Sequence, residues 1–288
     1  MTTDLPISEK ITALVSKIKQ LVEQKGSPIV ISVANQKGGV GKSATVDNLA
    51  ELFASFGLAT DILDIDAQSS ITNLKTDIKS IIDNNLPEMT DVMLETERLE
   101  NITFKLKENL YISPTTLRLS DAELNLVNAT LRELILKKNI EDLDTKLDII
   151  LIDCPPSRGL LTVNALSASD YILIPVQSEY QALVSIELIF STINNVKRSI
   201  NPQLKELGYV ITMATNTNHS DEIIEEVTAD PKADVIGIIN RSIAVSDAGV
   251  ANMSAYEYDK TNKSAQQYFD LAITILDRIS SKGVELHG

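Results

Sequence analysis

The order of the residues predicts an α/β fold, a mostly parallel, twisted β-sheet with helices on both faces. Three observations predict it. Short β-branched or aliphatic runs alternate with stretches of helical periodicity across most of the chain. A glycine-rich stretch, Asn35-Gln36-Lys37-Gly38-Gly39-Val40-Gly41-Lys42-Ser43, stands between one such run and the helix-patterned segment after it. Two aliphatic runs end in aspartate, at Asp64 and Asp66 and at Asp153, where an open parallel sheet meets its ligand.

Taken in order, Ile7, Ile11, Leu14, Ile18 and Leu21 recur at spacings of four and three, with Lys10, Lys17, Lys19 and Glu23 off the seam. That is a helix over 7–25 with a narrow apolar stripe, which either folds back on its own domain or forms a dimer arm. Pro28 to Ala34 reads as a buried strand and Ala44 to Phe56 as a helix. Between them the glycines at 38, 39 and 41 let backbone N–H groups turn inward around an anion, at the positive end of the following helix. Lys42 then reaches the β and γ phosphates and the Ser43 hydroxyl ligates Mg²⁺; the plain alternative is a glycine turn. Gln36 occupies the position where a phosphate loop ordinarily begins with glycine, and Lys37 follows it. A lysine so early lies on the outer rim, poorly placed for its own phosphates and able to serve a neighbour's.

Ala59 to Ile65 reads as the second strand, with Asp64 and Asp66 on one face. Two carboxylates there hold a metal-bound water and orient an attacking one, or simply cap the next helix. Residues 70–108 are polar and weakly periodic and predict a side lobe, with a short helix beginning near Met89. Leu110 to Pro114 reads as a strand and Leu117 to Leu136 as helical. Leu147 to Asp153 is a buried central strand delivering one carboxylate, and Pro155 and Pro156 force the chain out of it. A strand ending near Ile174, a helix from Ser185 to Ile200, strands over 208–213 and 234–239, and a closing helix from Ser264 to Ile279 continue the alternation.

Composition sets outer bounds. The 288 residues, 43% hydrophobic, can bury a sizeable core. The single cysteine, Cys154, excludes an internal disulfide and a multi-cysteine metal site within one chain, and reads as a small core residue. The beginning, Met1 to Pro6, lacks a basic region followed by an apolar one, and no apolar run approaches membrane-spanning length, so a cytoplasmic protein is expected. The final helix carries Asp270 and Asp277 and runs into the acidic-polar stretch Ser281 to Gly288, unlike a basic amphipathic membrane anchor. The net charge of -14 argues against coating nucleic acid with the whole surface.

The wording ANQKGGVGKS resembles the ParA/MinD family of P-loop ATPases, with its deviant Walker A loop, and more narrowly its ParA/Soj partition branch. IDCPPSRGLLTVNAL (152–166) is similar to the family's segment nearly throughout, with Arg158 where a leucine is usual, as is Ile174-Pro-Val-Gln-Ser-Glu-Tyr180 with Ala182 and Leu183. Asp64, Asp66 and Gln68 match a DxDPQ segment, with Ala67 in place of its proline. Two loops depart from the pattern, Ala214 to Asn218 and Asn240 to Ala244, where the family's adenine contacts and DNA-facing surface lie. The likeness spans roughly residues 28–280, which implies an N-terminal helical extension over 1–27 and an ATPase domain over 28–288.

That resemblance implies a Mg²⁺-dependent ATPase with weak basal activity that alternates between an ADP-bound or empty monomer and an ATP-sandwich homodimer. Lys37, Gly38, Gly39, Val40, Gly41, Lys42, Ser43 and Ala44 bind the nucleotide, with Lys37 acting across the dimer. Ser43, Asp64 and Asp153 serve the metal, and Lys37, Lys42 and Asp66 form the catalytic set, Asp66 positioning the attacking water. The implied role is plasmid or chromosome partition, with the ATP dimer on non-specific DNA of the nucleoid and a centromere-binding partner of the ParB type triggering hydrolysis. A positioner of another cargo from the same family is the alternative. DNA contacts fall to Lys197, Arg198 and Lys205 with Lys260 and Lys263, if these basic residues gather on one surface rather than standing as ordinary solvated charges.

Overall fold

A computed structural model describes residues 6–144 and 146–282. The expectations for Met1 to Leu5 and for residues 283–288 of the acidic-polar tail lie outside them. Along the chain, α1 (Ile7–Lys25) leads into β1 (Ile29–Val33), α2 (Lys42–Ser55) and β2 (Thr60–Asp64). Four short helices follow, α3 (Ser70–Lys75), α4 (Ile78–Asp83), α5 (Met89–Met93) and α6 (Leu99–Ile102), then β3 (Phe104–Lys107) and β4 (Leu110–Ser113). Next come α7 (Leu119–Leu126), α8 (Ile135–Glu141), β5 (Ile149–Asp153), α9 (Leu160–Ala168), β6 (Tyr171–Gln177) and α10 (Ala182–Ser199). The chain continues through β7 (Lys205–Ala214), α11 (Asn218–Ala229), β8 (Val235–Asn240), α12 (Ile243–Val250), α13 (Ala255–Tyr258) and α14 (Lys263–Lys282).

These strands form one eight-stranded sheet in the order β3-β4-β2-β5-β1-β6-β7-β8, parallel except for β3. Side-chain alternation divides the core in two. Ile29, Ile31 and Val33 of β1, with Ile149 and Leu151 of β5, join α1, α2 and α14 on one face. Val30 of β1, with Ile150 and Ile152 of β5, joins α5, α7, α8, α9 and α10 on the other. Strands buried on both faces must be apolar at nearly every position, which is why their sequences read as continuous aliphatic runs rather than alternating ones.

The helix α1 packs against α14 of its own chain, with Leu14 and Ile18 buried on the seam. Lys25 closes its last turn on the neighbouring loops, donating to Pro28 O at 2.7 Å and to Asp170 Oδ2 at 2.6 Å. Two segments differ from the sequence reading. The stretch from Leu117 to Leu136 is not continuous helix, because α7 ends at Leu126 and Leu131 takes a left-handed φ of 51° before α8 begins. The weakly periodic region also contains an edge strand, β3, antiparallel to β4 and half-exposed. Its Phe-Lys-Leu-Lys pattern is what a charged edge looks like, and the lysines discourage pairing with another chain.

Candidate functional site

Parallel order brings the carboxyl ends of β2, β5 and β1 side by side, so that Asp64 lies opposite Asp153 and Asp153 opposite Val33. The glycine loop leaves β1 there. Asn35, buried, anchors it by donating from Nδ2 to Pro175 O at 2.7 Å and accepting at Oδ1 from Lys37 N at 3.0 Å. Thr212, at the end of β7, braces the far side by donating to Val40 O at 2.8 Å. Gly41 caps α2 with a φ of 80°, a conformation that an L side chain adopts only under strain, so this position needs glycine. A β-carbon at Gly38 or Gly39 would meet no neighbouring atom within 4 Å, so close packing does not account for either glycine.

Lys42 and Ser43 open α2, where the first N–H groups lack helical partners and favour negative charge. The Lys42 side chain turns back into the loop, donating from Nζ to Lys37 O at 3.2 Å. Burial lowers its pKa, and the attraction of Asp153, Cys154 and Asp66 works the other way. Asp153 is fully buried and neither carboxylate oxygen has a hydrogen-bond partner. Burial and the neighbouring Asp64 push its pKa well above the usual carboxylate range, while Ser43 and Lys42 pull it down. An orphaned buried carboxylate beside a serine at the amino end of α2 fits a hydrated divalent cation carrying phosphate.

Asp64 is differently placed. Its Oδ2 accepts from Thr72 Oγ1 at 2.7 Å and Thr72 N at 3.1 Å, and its Oδ1 accepts from Asp66 N at 3.1 Å. Burial pushes its pKa up to about 7. Asp64 therefore ties the end of β2 to α3 and orients the turn that carries Asp66. Asp66 itself is half-buried and accepts from Gln68 N at 3.0 Å. Lys37 sits on the outer rim, with Nζ 2.7 Å from Glu179 Oε2. Cys154 is buried in the core, where desolvation pushes its thiol upward.

Beyond the loop, a cleft of about 680 Å³ opens between the ends of β7 and β8, lined by Ala214, Thr215, Asn240, Arg241 and Lys263 among others. Met213, next in the chain to the lining residue Ala214, would lie 3.6 Å from a β-carbon on Gly41. The five basic residues singled out in the sequence do not share one surface. Each βαβ crossover returns the chain to the amino edge of the sheet. Lys197 and Arg198 therefore end α10 beside Lys205, which begins β7. Lys263 opens α14 at the opposite, carboxyl edge, and Lys260 lies over the Tyr256 ring just ahead of it. The ten residues of β7 span the interval, roughly 30 Å. Lys197 also faces Glu206 at 3.7 Å. Sequence reasoning missed Thr72, Glu179 and Thr212 as partners of the site: Thr72 arrives on α3, Thr212 on β7 and Glu179 on the turn after β6, and nothing local tells which residue each will meet.

Comparison with known proteins shows which proteins the chain resembles. A family model described as an AAA domain matches residues 29–206. The sporulation initiation inhibitor protein Soj of Bacillus subtilis is 36% identical over 249 residues, covering 84% of this chain and 96% of that protein. The chromosome partitioning protein ParA of Myxococcus xanthus is 34% identical, over 88% of this chain and 89% of that one. Among solved structures, cobyrinic acid a,c-diamide synthase from Mycobacterium smegmatis with bound ADP and magnesium matches with a TM-score of 0.70 and 29% identity, over 85% of this chain and 92% of that one.

Proposed function

The chain belongs to the ParA/Soj family of P-loop ATPases, and from that premise we propose that it is a partition ATPase whose nucleotide state governs its dimerisation and its hold on DNA. The observation that carries the reading is Asp153, a fully buried carboxylate without hydrogen-bond partners, set beside a glycine loop into which Lys42 already points. ATP with Mg²⁺ supplies the transferable phosphoryl group and the charge that neutralises it.

The chain's own residues divide the work. The N–H groups of Gly38, Gly39, Val40, Gly41, Lys42, Ser43 and Ala44 surround the phosphates, and Lys42 places a desolvated positive charge inside the loop. Ser43 and Asp153 hold the cation, and Asp64, committed to Thr72 and to Asp66 N, keeps the adjoining turn in place. Asp66 orients the attacking water from the rim of that turn. Lys37, on the outer limb, acts on the phosphates of a second copy. The cleft at Ala214 and Asn240 receives the base. Such a site works by alignment and charge stabilisation, so a slow basal rate raised by a ParB-type partner is the expected behaviour. Of the basic residues, Lys260 and Lys263 share the nucleotide edge and are the ones whose presentation ATP can control.

The test is a titration of a random DNA duplex with ADP, ATP or the Asp66→Ala protein with ATP, at two salt concentrations, alongside sizing of Lys42→Ala and Lys37→Ala. Lys42→Ala is expected to lose nucleotide, Lys37→Ala to bind ATP as a monomer, and Asp66→Ala to remain an ATP-loaded dimer. DNA affinity should rise with ATP and fall with salt at a slope of about -0.9 per phosphate contacted. Equal binding with ADP and ATP, or none by the trapped dimer at low salt, overturns the partition reading.

A further inference from the structure

The outer limb of the loop is held by more contacts than a phosphate cradle needs. Three successive residues are tied to β6, to the middle of α10 and to the turn between them. Asn35 bonds Pro175 O at 2.7 Å. Gln36 donates from Nε2 to Leu188 O at 3.0 Å and to Thr192 Oγ1 at 2.7 Å, and its Oε1 accepts from Arg158 Nε. Lys37 reaches Glu179. The first two residues fix the backbone, so the position of the Lys37 ammonium depends on what its flexible stem can find nearby.

What it finds is an acid on a short, ordered turn. Glu179 lies between β6 and α10, where Glu179 N bonds Gln177 O at 2.8 Å and Ala182 N bonds Glu179 O at 2.8 Å. Its side chain is 53% exposed and the Lys37 side chain 25%, so the pair sits at the surface and is exchangeable. A carboxylate on its own chain and a phosphate on another compete for where the flexible stem carries the ammonium.

We propose that Glu179 is a cis latch on Lys37, holding its ammonium against its own chain until a second copy offers phosphate in its place. The inference rests on the trans role proposed for Lys37 above. Each copy must give up one Lys37–Glu179 pair when two chains join, so the pair opposes dimerisation twice. Glu179 thereby sets how much ATP-loaded protein is needed before dimers form, without touching the nucleotide. Exposed ion pairs are individually weak, and two released together shift the association constant between about two-fold and thirty-fold.

The experiment is sedimentation velocity of the full chain with Mg²⁺ and a non-hydrolysable ATP analogue, and separately with ADP. It compares the parent protein with Glu179→Gln, Glu179→Asp, Lys37→Ala and the double variant Lys37→Ala with Glu179→Gln. The latch requires Glu179→Gln to dimerise about two- to thirty-fold more tightly with the analogue and to stay monomeric with ADP. Glu179→Asp, which keeps the charge, should lie closer to the parent, and the double variant should match Lys37→Ala. Unchanged or weakened association of Glu179→Gln, with Lys37→Ala monomeric, overturns the latch and leaves the trans role standing. Full dimerisation of Lys37→Ala overturns the trans role and the latch with it. An exposed turn residue is not needed for folding, and a melting curve for each variant verifies that any shift belongs to association.

Discussion

Replacing Lys75 by alanine tests how the loop's helix is held to the rest of the site. Lys75 ends α3, and its ammonium lies 2.7 Å from Asp47 Oδ1 and 2.8 Å from Glu51 Oε1 of α2. All three side chains are 3% exposed or less. Lys107 of β3 also pairs with Glu51, from a side chain 38% exposed, and faces Glu257 of α13 at 3.5 Å. Removing one partner of a buried pair costs about 3–5 kcal/mol, because a charge is left desolvated and uncompensated. Lys107 still serves Glu51, so Asp47 is the group stranded, and the lower part of that range, about 3–4 kcal/mol, is expected. A chain of this kind has only about 5–15 kcal/mol in total, so the loss is large. It also depends on pH. Burial already pushes Asp47 up to about 6, with Lys75 opposing the rise. Without Lys75 the folded state holds that proton to still higher pH, while the unfolded chain gives it up near 3.8. Stability of the variant therefore falls further as pH rises, and its deficit widens between pH 5.5 and pH 8. Urea unfolding of both proteins at the two pH values measures this. A deficit under about 1 kcal/mol at pH 8, or one equal at both pH values, would refute the reasoning.

Leu14→Ala should cost about 2–4 kcal/mol in thermal or urea unfolding, since Leu14 is buried between α1 and α14, and should leave ATP-dependent association unchanged; a change in association with unchanged melting would place α1 between chains instead. Asp61 on β2 is fully buried, accepts from Ser113 Oγ at 2.9 Å, and has its pKa pushed up by burial to about 7. The folded chain then keeps a proton that the unfolded chain loses near 3.8, so stability falls as pH rises across roughly 4 to 7. Asp61→Asn should flatten that fall by up to about 4 kcal/mol, and parallel pH profiles for the two proteins would count against it.

Much of this molecule was legible in the order of its residues, and the legible parts share a physical character. The strands β1, β2, β5 and β6 were readable because a strand covered on both faces has to be aliphatic along its length, whatever covers it. The glycine loop was readable because its chemistry needs particular backbone freedom at Gly41 and a helix beginning at Lys42, both within a few residues. Asp64, Asp66 and Asp153 could be named from their positions at strand ends. Their unequal surroundings could not. That Asp64 is engaged by Thr72 follows from where α3 docks, and Lys75 of the same helix pairs with α2.

The same limit explains the misread segments. Leu117 to Leu136 has helical spacing, yet the chain breaks so that α7 and α8 can both pack under the sheet. Strand β3 is too short and too charged to announce itself, and exists because β4 offers it an edge. The basic residues were candidates for DNA contact only if the fold gathered them on one surface, and the crossover α10 and the length of β7 carry them to opposite edges. Sequence by itself determined the layers, the loop and the strand-end acids, since periodicity, glycine and strand polarity act over a few residues. Only the tertiary structure decided which acid is free, which lysine is held by Glu179 and which surfaces coincide, because those depend on distances between segments far apart in the chain.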